Sequence, residues 1–219
     1  MKKTLLLVVV VMTSFVTLNL YAQVKIGLKV GVDFSNLKMD YNGDSFNDEM
    51  DTKRLISPRF GPIVELPVND FLFVQAGLFG TAKGLRYQDE WLETTTKYIE
   101  ILGTVDIPIN FGYKYDLGNV KLFGMAGPVI SYNIYTTLLY KEDGEDWDND
   151  NDNTIGTSDE DIYKPLNFGV NIEAGVELNR FQFSAFYNAG LANITNYDQL
   201  DIKTSVFGLT AAVKFGSVN

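Results

Sequence analysis

The 219-residue chain contains no cysteine and no histidine. Without cysteine there is no disulfide scaffold, no thiolate metal site, no thiol nucleophile and no lipid-modified cysteine. Without histidine the usual general base and the commonest metal ligand are both missing. Most hydrolase triads and metallohydrolases lose their principal residue in this way. A basic surface is also missing: 18 Lys and Arg stand against 28 Asp and Glu, a net charge of −10. That balance excludes a nucleic-acid partner, which needs a positive footprint. The chain also has just one long apolar run, and it lies at the N-terminus.

That run opens the sequence. Lys2 and Lys3 precede Leu5 to Met12, and a softer stretch ends at Tyr21-Ala22. A basic start, an apolar centre and a small residue before the cut describe a secretory signal peptide over residues 1–22. Thr13, Ser14, Thr17 and Asn19 weaken its far end, which argues against an uncleaved membrane anchor. The expected mature domain is 23–219. Since it contains no second span-length apolar run, it can cross a membrane only as a closed sheet.

Period-two alternation runs through this domain. Val24, Ile26, Leu28, Val30, Val32 and Phe34 share one face, while Lys25, Lys29 and Asp33 share the other. Similar patterns cover 59–66, 99–110, 166–177 and 204–215, and less regular ones cover 71–83, 120–135 and 181–192. Pro128 predicts a bulge or irregular pairing within 120–135. No 3.6-residue period appears, so the class is all-β with eight strands. Eleven alternating residues match what a tilted strand needs to cross a bilayer.

Connection lengths sort the strands into a barrel. Residues 67–70, 116–119 and 179–180 have tight-turn chemistry. Between them lie long polar connections at about 35–58, 84–96, 137–163 and 193–202. Short turns at one rim and long loops at the other describe an eight-stranded antiparallel up-and-down transmembrane β-barrel, with short periplasmic turns and long extracellular loops. The alternative is a soluble lipocalin-like barrel, whose apolar face would point inward around a ligand.

In the membrane reading the apolar face meets outer-membrane lipid. Phe34, Phe60, Tyr113, Tyr115, Tyr132, Phe181 and Phe215 are then candidates for the aromatic girdles at its borders. The interior receives Lys25, Lys29, Arg59, Lys83 and Lys214 together with Asp33, Glu65, Glu100, Asp106, Glu173 and Glu177. Eight strands enclose little more than side-chain volume. These charges are therefore expected to pair and plug the lumen. A narrow pore for small solutes or ions is the alternative. Asp33 with Arg59 is one arrangeable charged pair, but without an identifiable base no catalytic or cofactor-binding residues are assigned, and the chain is not expected to be an enzyme.

The acid is concentrated in one place. Residues 141–161 hold ten of the 28 carboxylates and a single lysine. Asp148, Asp150, Asp152 and Asp159 fall at positions one, three, five and twelve of a calcium loop. Asn153 stands where the turn glycine belongs, and Asp159 is shorter than the usual bidentate glutamate. The competing reading is a solvated loop of mutually repelling acids, with Trp147 and Tyr163 as an apolar grip for a partner. No metal residues are assigned.

Several stretches carry a resemblance. "KIGLKVGVDFSNL" (25–37), "VDIPINFGYKY" (105–115) running into "VKLFGMAGPVISYNI" (120–134), "LNFGVNIEAGVEL" (166–178) and "FSAFYNAGLANI" (183–194) resemble the PorT-type outer-membrane β-barrel family of Bacteroidetes-type bacteria. Ile107-Pro108, Gly127-Pro128 and 190–193 (GLAN) carry most of it, through their order and spacing. The chain departs from that pattern at Ala76-Gly77, where Pro-Glu is expected, and in the long acidic loop. The resemblance implies an outer-membrane location and contact with an envelope or secretion-system protein, but no activity.

Overall fold

The computed structural model describes residues 24–41, 44–45, 52–91, 94–142, 146–150, 154–158 and 160–216. The expected signal peptide, 1–22, lies outside the described residues. So do Asp152, Asp159 and the side chain of Asp150.

The strands are β1 (Lys25–Tyr41), β2 (Asp44–Ser45), β3 (Lys53–Pro67), β4 (Leu72–Gly77), β5 (Phe79–Trp91), β6 (Thr94–Asp116), β7 (Lys121–Glu142), β8 (Asp148–Asp150), β9 (Leu166–Leu178), β10 (Phe181–Gly190) and β11 (Leu200–Phe215). Each pairs antiparallel with its neighbour, and β1 closes the ring against β11 from Ile26↔Phe215 to Tyr41↔Leu200. Strands β4 and β5 form one stave broken at Leu78, because both lie between β3 and β6. With β2 and β8 as short additions to β1 and β7, the wall has the eight staves expected.

Side-chain direction follows the alternation. Along β1, Ile26, Leu28, Val30 and Val32 are exposed, whereas Lys29 and Asp33 are buried. Elsewhere Phe60 and Phe111 are more than 60% exposed on the outside, while Glu65 and Asp106 are fully buried inside. Such a surface is stable only if lipid covers it, so the hydrophobic term that usually builds a core here acts on the outer wall. Tyr113, Tyr115, Phe181 and Phe215 lie outward at the short-turn rim, as expected. Phe60 departs from the girdle expectation: it sits mid-band, between outward Ile56 and Pro58 on one side and Val64 and Leu66 on the other.

The three tight turns form where their chemistry placed them. Asn69 Oδ1 accepts the backbone N–H groups of Phe71 and Leu72 at 3.0 and 2.6 Å. Asp116 Oδ1 accepts Gly118 N–H at 2.7 Å, and Gly118 takes a φ of 90°. Asn179, at φ 54°, uses the left-handed region that asparagine tolerates.

The long-loop rim differs from the sequence expectation. The connection expected at 84–96 is a hairpin tip, because β5 runs to Trp91 and β6 starts at Thr94 with Trp91↔Thr94 paired. Likewise β7 continues to Glu142 and β1 to Tyr41. Here the strands rise beyond the apolar band. The outward face becomes polar and the strict alternation fades, while Leu37, Leu85 and Leu102 still point inward and the hydrogen-bond ladder continues.

Pro128 leaves the register unchanged. Its neighbours pair with β9 in register across Gly127↔Asn171 and Pro128↔Val170. Toward β6, however, the ladder lapses at Gly127 and Pro128, between Pro108↔Val129 and Phe111↔Ala126, which is the irregular pairing expected from the missing donor. A register shift lies higher, between Gly103 and Thr104, opposite Ile134. A second shift separates Arg54 from Arg59 in the β3–β5 pairing. Side chains close that gap: Ser57 Oγ donates to Ala82 O at 2.6 Å, and Ser35 Oγ accepts Gly84 N–H at 3.0 Å.

Candidate functional site

The lumen holds the chain's chemistry, arranged as three charged layers beneath an apolar cap. Nearest the short-turn rim, β3, β6, β9 and β11 contribute Glu65, Lys114, Glu177 and Lys214. Lys114 Nζ reaches Glu65 at 2.5 Å and Glu177 at 2.7 Å, and Lys214 Nζ reaches the same two at 2.9 and 2.7 Å. The result is a square of alternating sign. Lys25 stands at its edge, 3.9 Å from Glu65 and 3.8 Å from Glu177.

Above the square, Lys29 Nζ donates to Glu173 at 2.6 Å and to Gln75 Oε1 at 2.9 Å. Gln75 Nε2 donates onward to Glu65 and to Gln182, each at 3.3 Å, and so joins the layers. The next layer centres on Arg59. Its Nε lies 3.0 Å from both Asp33 oxygens, and its Nη2 lies 2.7 Å from Asp106. Lys83 takes the other Asp106 oxygen at 2.7 Å, and Ser131 donates to that same oxygen at 2.6 Å. Phe186 and Phe79 flank the guanidinium, 4.7 and 5.2 Å from ring centre to Arg59. The Phe186 ring has room because position 208 is glycine, where a Cβ would come within 2.3 Å of it. Unpaired charges here would carry a large desolvation penalty, and each finds an opposite partner.

Every base and acid expected inside is there. One more lumenal base was missed: Lys114. Its signal was present, since the inward residues of β6 are even-numbered from Glu100 onward, and Lys114 continues that set beyond Gly112. With it, six bases face six acids. Glu100 differs from expectation, because its partner is the Tyr163 hydroxyl rather than a base.

Tyr163 belongs to the apolar cap above the charged layers, at the long-loop mouth. Leu37, Leu85, Leu102, Ile194 and Ile202 pack with it, and all are fully buried. The segment that delivers Tyr163 is the far half of the acidic loop. Gly156 N–H donates to Tyr163 O at 2.9 Å, and Lys164 N–H to Ile194 O at 2.7 Å. Asn133 Nδ2 anchors Lys164 O at 2.8 Å, and Asn196 Nδ2 anchors Asp161 O at 2.9 Å. Burial, reinforced by the Glu100 carboxylate, pushes the Tyr163 phenol upward, so it remains a donor. Asp161 Oδ2 accepts the Ser158 hydroxyl at 2.6 Å and its N–H at 2.9 Å, which hold the Asp161 carboxyl below its usual range. The expectation of a wholly solvated loop therefore does not hold around Tyr163, which is buried with Ile155 and Ile162 packed against its cluster, whereas Thr154, Thr157, Ser158 and Glu160 stay exposed.

Between the Lys29 and Arg59 layers, bordered by Phe79, Pro108 and Phe186, the space open to the centre of a water-sized sphere is about 10 Å³. That is about one water.

Of the candidate calcium positions only Asp148 and Asp150 fall within the described residues, and these two are not wound into a loop. Asp148 lies in β8, paired through Tyr140↔Asp148, and accepts the Tyr140 hydroxyl at 3.0 Å. Asp150 lies two residues on in the same extended strand. Among the described residues no cluster of three or more acids is placed to hold a metal ion.

Comparison with known proteins adds the family. The description "outer membrane protein beta-barrel domain" matches residues 17–196. No curated protein matches the chain. Among solved structures, Ail, the attachment invasion locus protein of Yersinia pestis, is 13% identical over 88% of this chain and 99% of its own, with a TM-score of 0.38. Neisserial surface protein A is 13% identical over 87% and 97%, with a TM-score of 0.38. OprG of Pseudomonas aeruginosa is 10% identical over 90% and 98%, with a TM-score of 0.49.

Proposed function

Because this chain belongs to the outer membrane protein beta-barrel domain family, and is thus a bacterial outer-membrane protein, we propose that it is a closed, non-catalytic barrel that holds its surface loops outside the cell for another envelope or secretion-system protein. One observation carries this reading: the lumen is filled by paired charge and then capped, leaving about 10 Å³ between the two upper charged layers. A pore needs a continuous wet path, and eight strands provide the least room for one. Binding energy is then available at the loops, where polar and aromatic side chains such as Trp147 and Tyr197 are exposed.

Within the family, kinship with PorT-type barrels is the finer proposal. It rests on Ile107-Pro108, Gly127-Pro128 and 190–193 in their order along the chain. Export through a cleaved leader at 1–22 belongs to the same proposal.

Membrane-permeable crosslinking in cells, followed by purification of the full chain and identification of attached proteins, tests the scaffold reading. A reproducible envelope partner, lost when the 143–153 or 191–199 loop is replaced by a short Gly-Ser turn, is the expected outcome. A chain that captures no partner and admits small sugars or amino acids into liposomes contradicts it.

A further inference from the structure

The outer wall carries a feature that the plugged lumen does not use. At the long-loop end of four adjacent staves, Arg54 (β3), Arg86 (β5), Lys97 (β6) and Lys141 (β7) share the outward face. Arg54 and Arg86 alternate with buried Leu55 and Leu85, Lys97 has the outward parity of β6, and Lys141 stands directly opposite Lys97 in the ladder. The four lie on successive staves: Lys53, next to Arg54, stands directly opposite Arg86, Arg54 itself stands opposite Leu85 just before the β3–β5 register shift, and Gln88↔Lys97 links β5 to β6. Among the described residues none of the four is ion-paired. Two like charges placed directly opposite on one sheet face repel unless an anion lies between them. The guanidiniums are already positioned: Arg54 Nη1 donates to Phe34 O at 3.1 Å, and Arg86 Nε donates to Arg54 O at 3.3 Å, which leaves the outer forks available. Lys53, Arg86, Lys97 and Trp147 border a depression of about 220 Å³.

Directly below, on the same staves, lies an apolar groove of about 490 Å³ bordered by Ile56, Pro58, Phe60, Ala82, Ile101 and Tyr135. Its depth has two local causes. Gly80 and Gly103 present no side chain to it, and the β3–β5 ladder slips between Arg54 and Arg59. The groove lies within the lipid-facing band, whereas the four basic residues lie at its upper border. The long-loop end faces the outer leaflet. A ligand for both parts is anionic at the headgroup and acylated below it.

We propose that this face binds one molecule of the phosphorylated, acylated disaccharide lipid of the outer leaflet (lipid A). A phosphate would sit on Arg54, Arg86, Lys97 and Lys141, and one acyl chain in the Ile56–Tyr135 groove. Arginine forks match phosphate oxygens in pairs, and the lysines supply point charge beside them. This assignment is independent of whether the barrel conducts or has a protein partner.

Native mass spectrometry of the full chain in detergent micelles, titrated with bis-phosphorylated lipid A, tests it. One lipid per chain is expected. R86Q/K97Q is expected to weaken binding at least about tenfold, and phosphatase-treated lipid A to lose a similar factor against the unaltered chain. Gly80→Leu, which fills the groove where a Cβ meets only ordinary contact with Phe60, weakens lipid A but leaves inorganic phosphate binding unchanged. Heat-dependent gel mobility shows that each variant is folded. Equal affinity for the dephosphorylated lipid would overturn the proposal and leave an unspecific lipid belt. Unchanged binding by folded R86Q/K97Q would also overturn it, as would complete displacement by millimolar inorganic phosphate or equal binding of an acidic peptide.

Discussion

Tyr163, carried in by the far half of an acidic surface loop, donates its hydroxyl to the buried Glu100 carboxylate inside the barrel mouth. This contact joins the loop to the wall. It also supplies the partner for the one lumenal acid that no base reaches among the described residues.

Tyr163→Phe is therefore expected to destabilise the cap rather than the wall. It leaves a buried carboxylate short of a donor, a cost of roughly 1–3 kcal/mol. Chymotrypsin cleavage after residue 163 reads this locally, because the following Lys164 is held through both its N–H and its carbonyl and phenylalanine keeps an aromatic residue at the cut. Faster cleavage in the variant is expected, with Glu100→Leu restoring part of the protection in the double variant. Equal cleavage rates would show that Tyr163 does not secure the cap.

Arg59→Met leaves Asp106 paired with Lys83 alone and Asp33 with only the Thr81 hydroxyl. Removing one partner of a buried ion pair costs roughly 3–5 kcal/mol. Adding Asp33→Asn restores neutrality to the layer, so R59M/D33N is expected to be more stable than R59M alone. Urea unfolding in lipid vesicles measures both. If the double variant is the less stable of the two, the layer is not held together by charge balance.

Much of this layer was legible in the sequence. Strict alternation along β1 and β9 placed Lys29, Asp33, Glu173 and Glu177 inside because one face of each strand is apolar without interruption. The same rule reached Arg59 and Glu65. It stopped short of Lys114, where the neighbouring inward position is Gly112 and the strand end blurs the contrast. Nothing in 154–165 showed that Tyr163 turns inward. The acids around it read as solvated, and only its pairing with Thr195 and the Leu37–Ile202 cluster, both tertiary, place it in the mouth. The wall extensions beyond Phe34 and before Arg59 were hidden for another reason: above the lipid a ladder needs no apolar face.

The Asp161 turn gives the cap a pH dependence. Its carboxyl is held below the ordinary range chiefly by hydrogen bonds from Ser158. A depressed folded value means the contribution is present above the titration of an unfolded aspartate, and is lost as pH falls through the lower folded value. An acid-stable protease cutting within 154–165 should gain access as the pH drops below about 4. Asp161→Asn should show raised access at neutral pH with a smaller further change in acid. A wild-type profile identical to the variant's would contradict this.

Calcium should leave the acidic loop unchanged. Asp148 and Asp150 lie in extended β8, and Asp148 already accepts the Tyr140 hydroxyl, whereas a calcium loop needs its first ligands wound around a tight turn. Isothermal titration of the full chain with millimolar calcium is expected to give no saturable heat. A stoichiometric isotherm lost in Asp148→Asn would establish a site.

Six bases and six acids, closed above by an apolar cap, are proposed to leave no aqueous path through the barrel. Single-channel recording in planar bilayers tests this most directly. The folded wild-type chain is expected to give no reproducible conductance steps. Steps of constant size in wild type, altered by Arg59→Met or Lys83→Met, would contradict it.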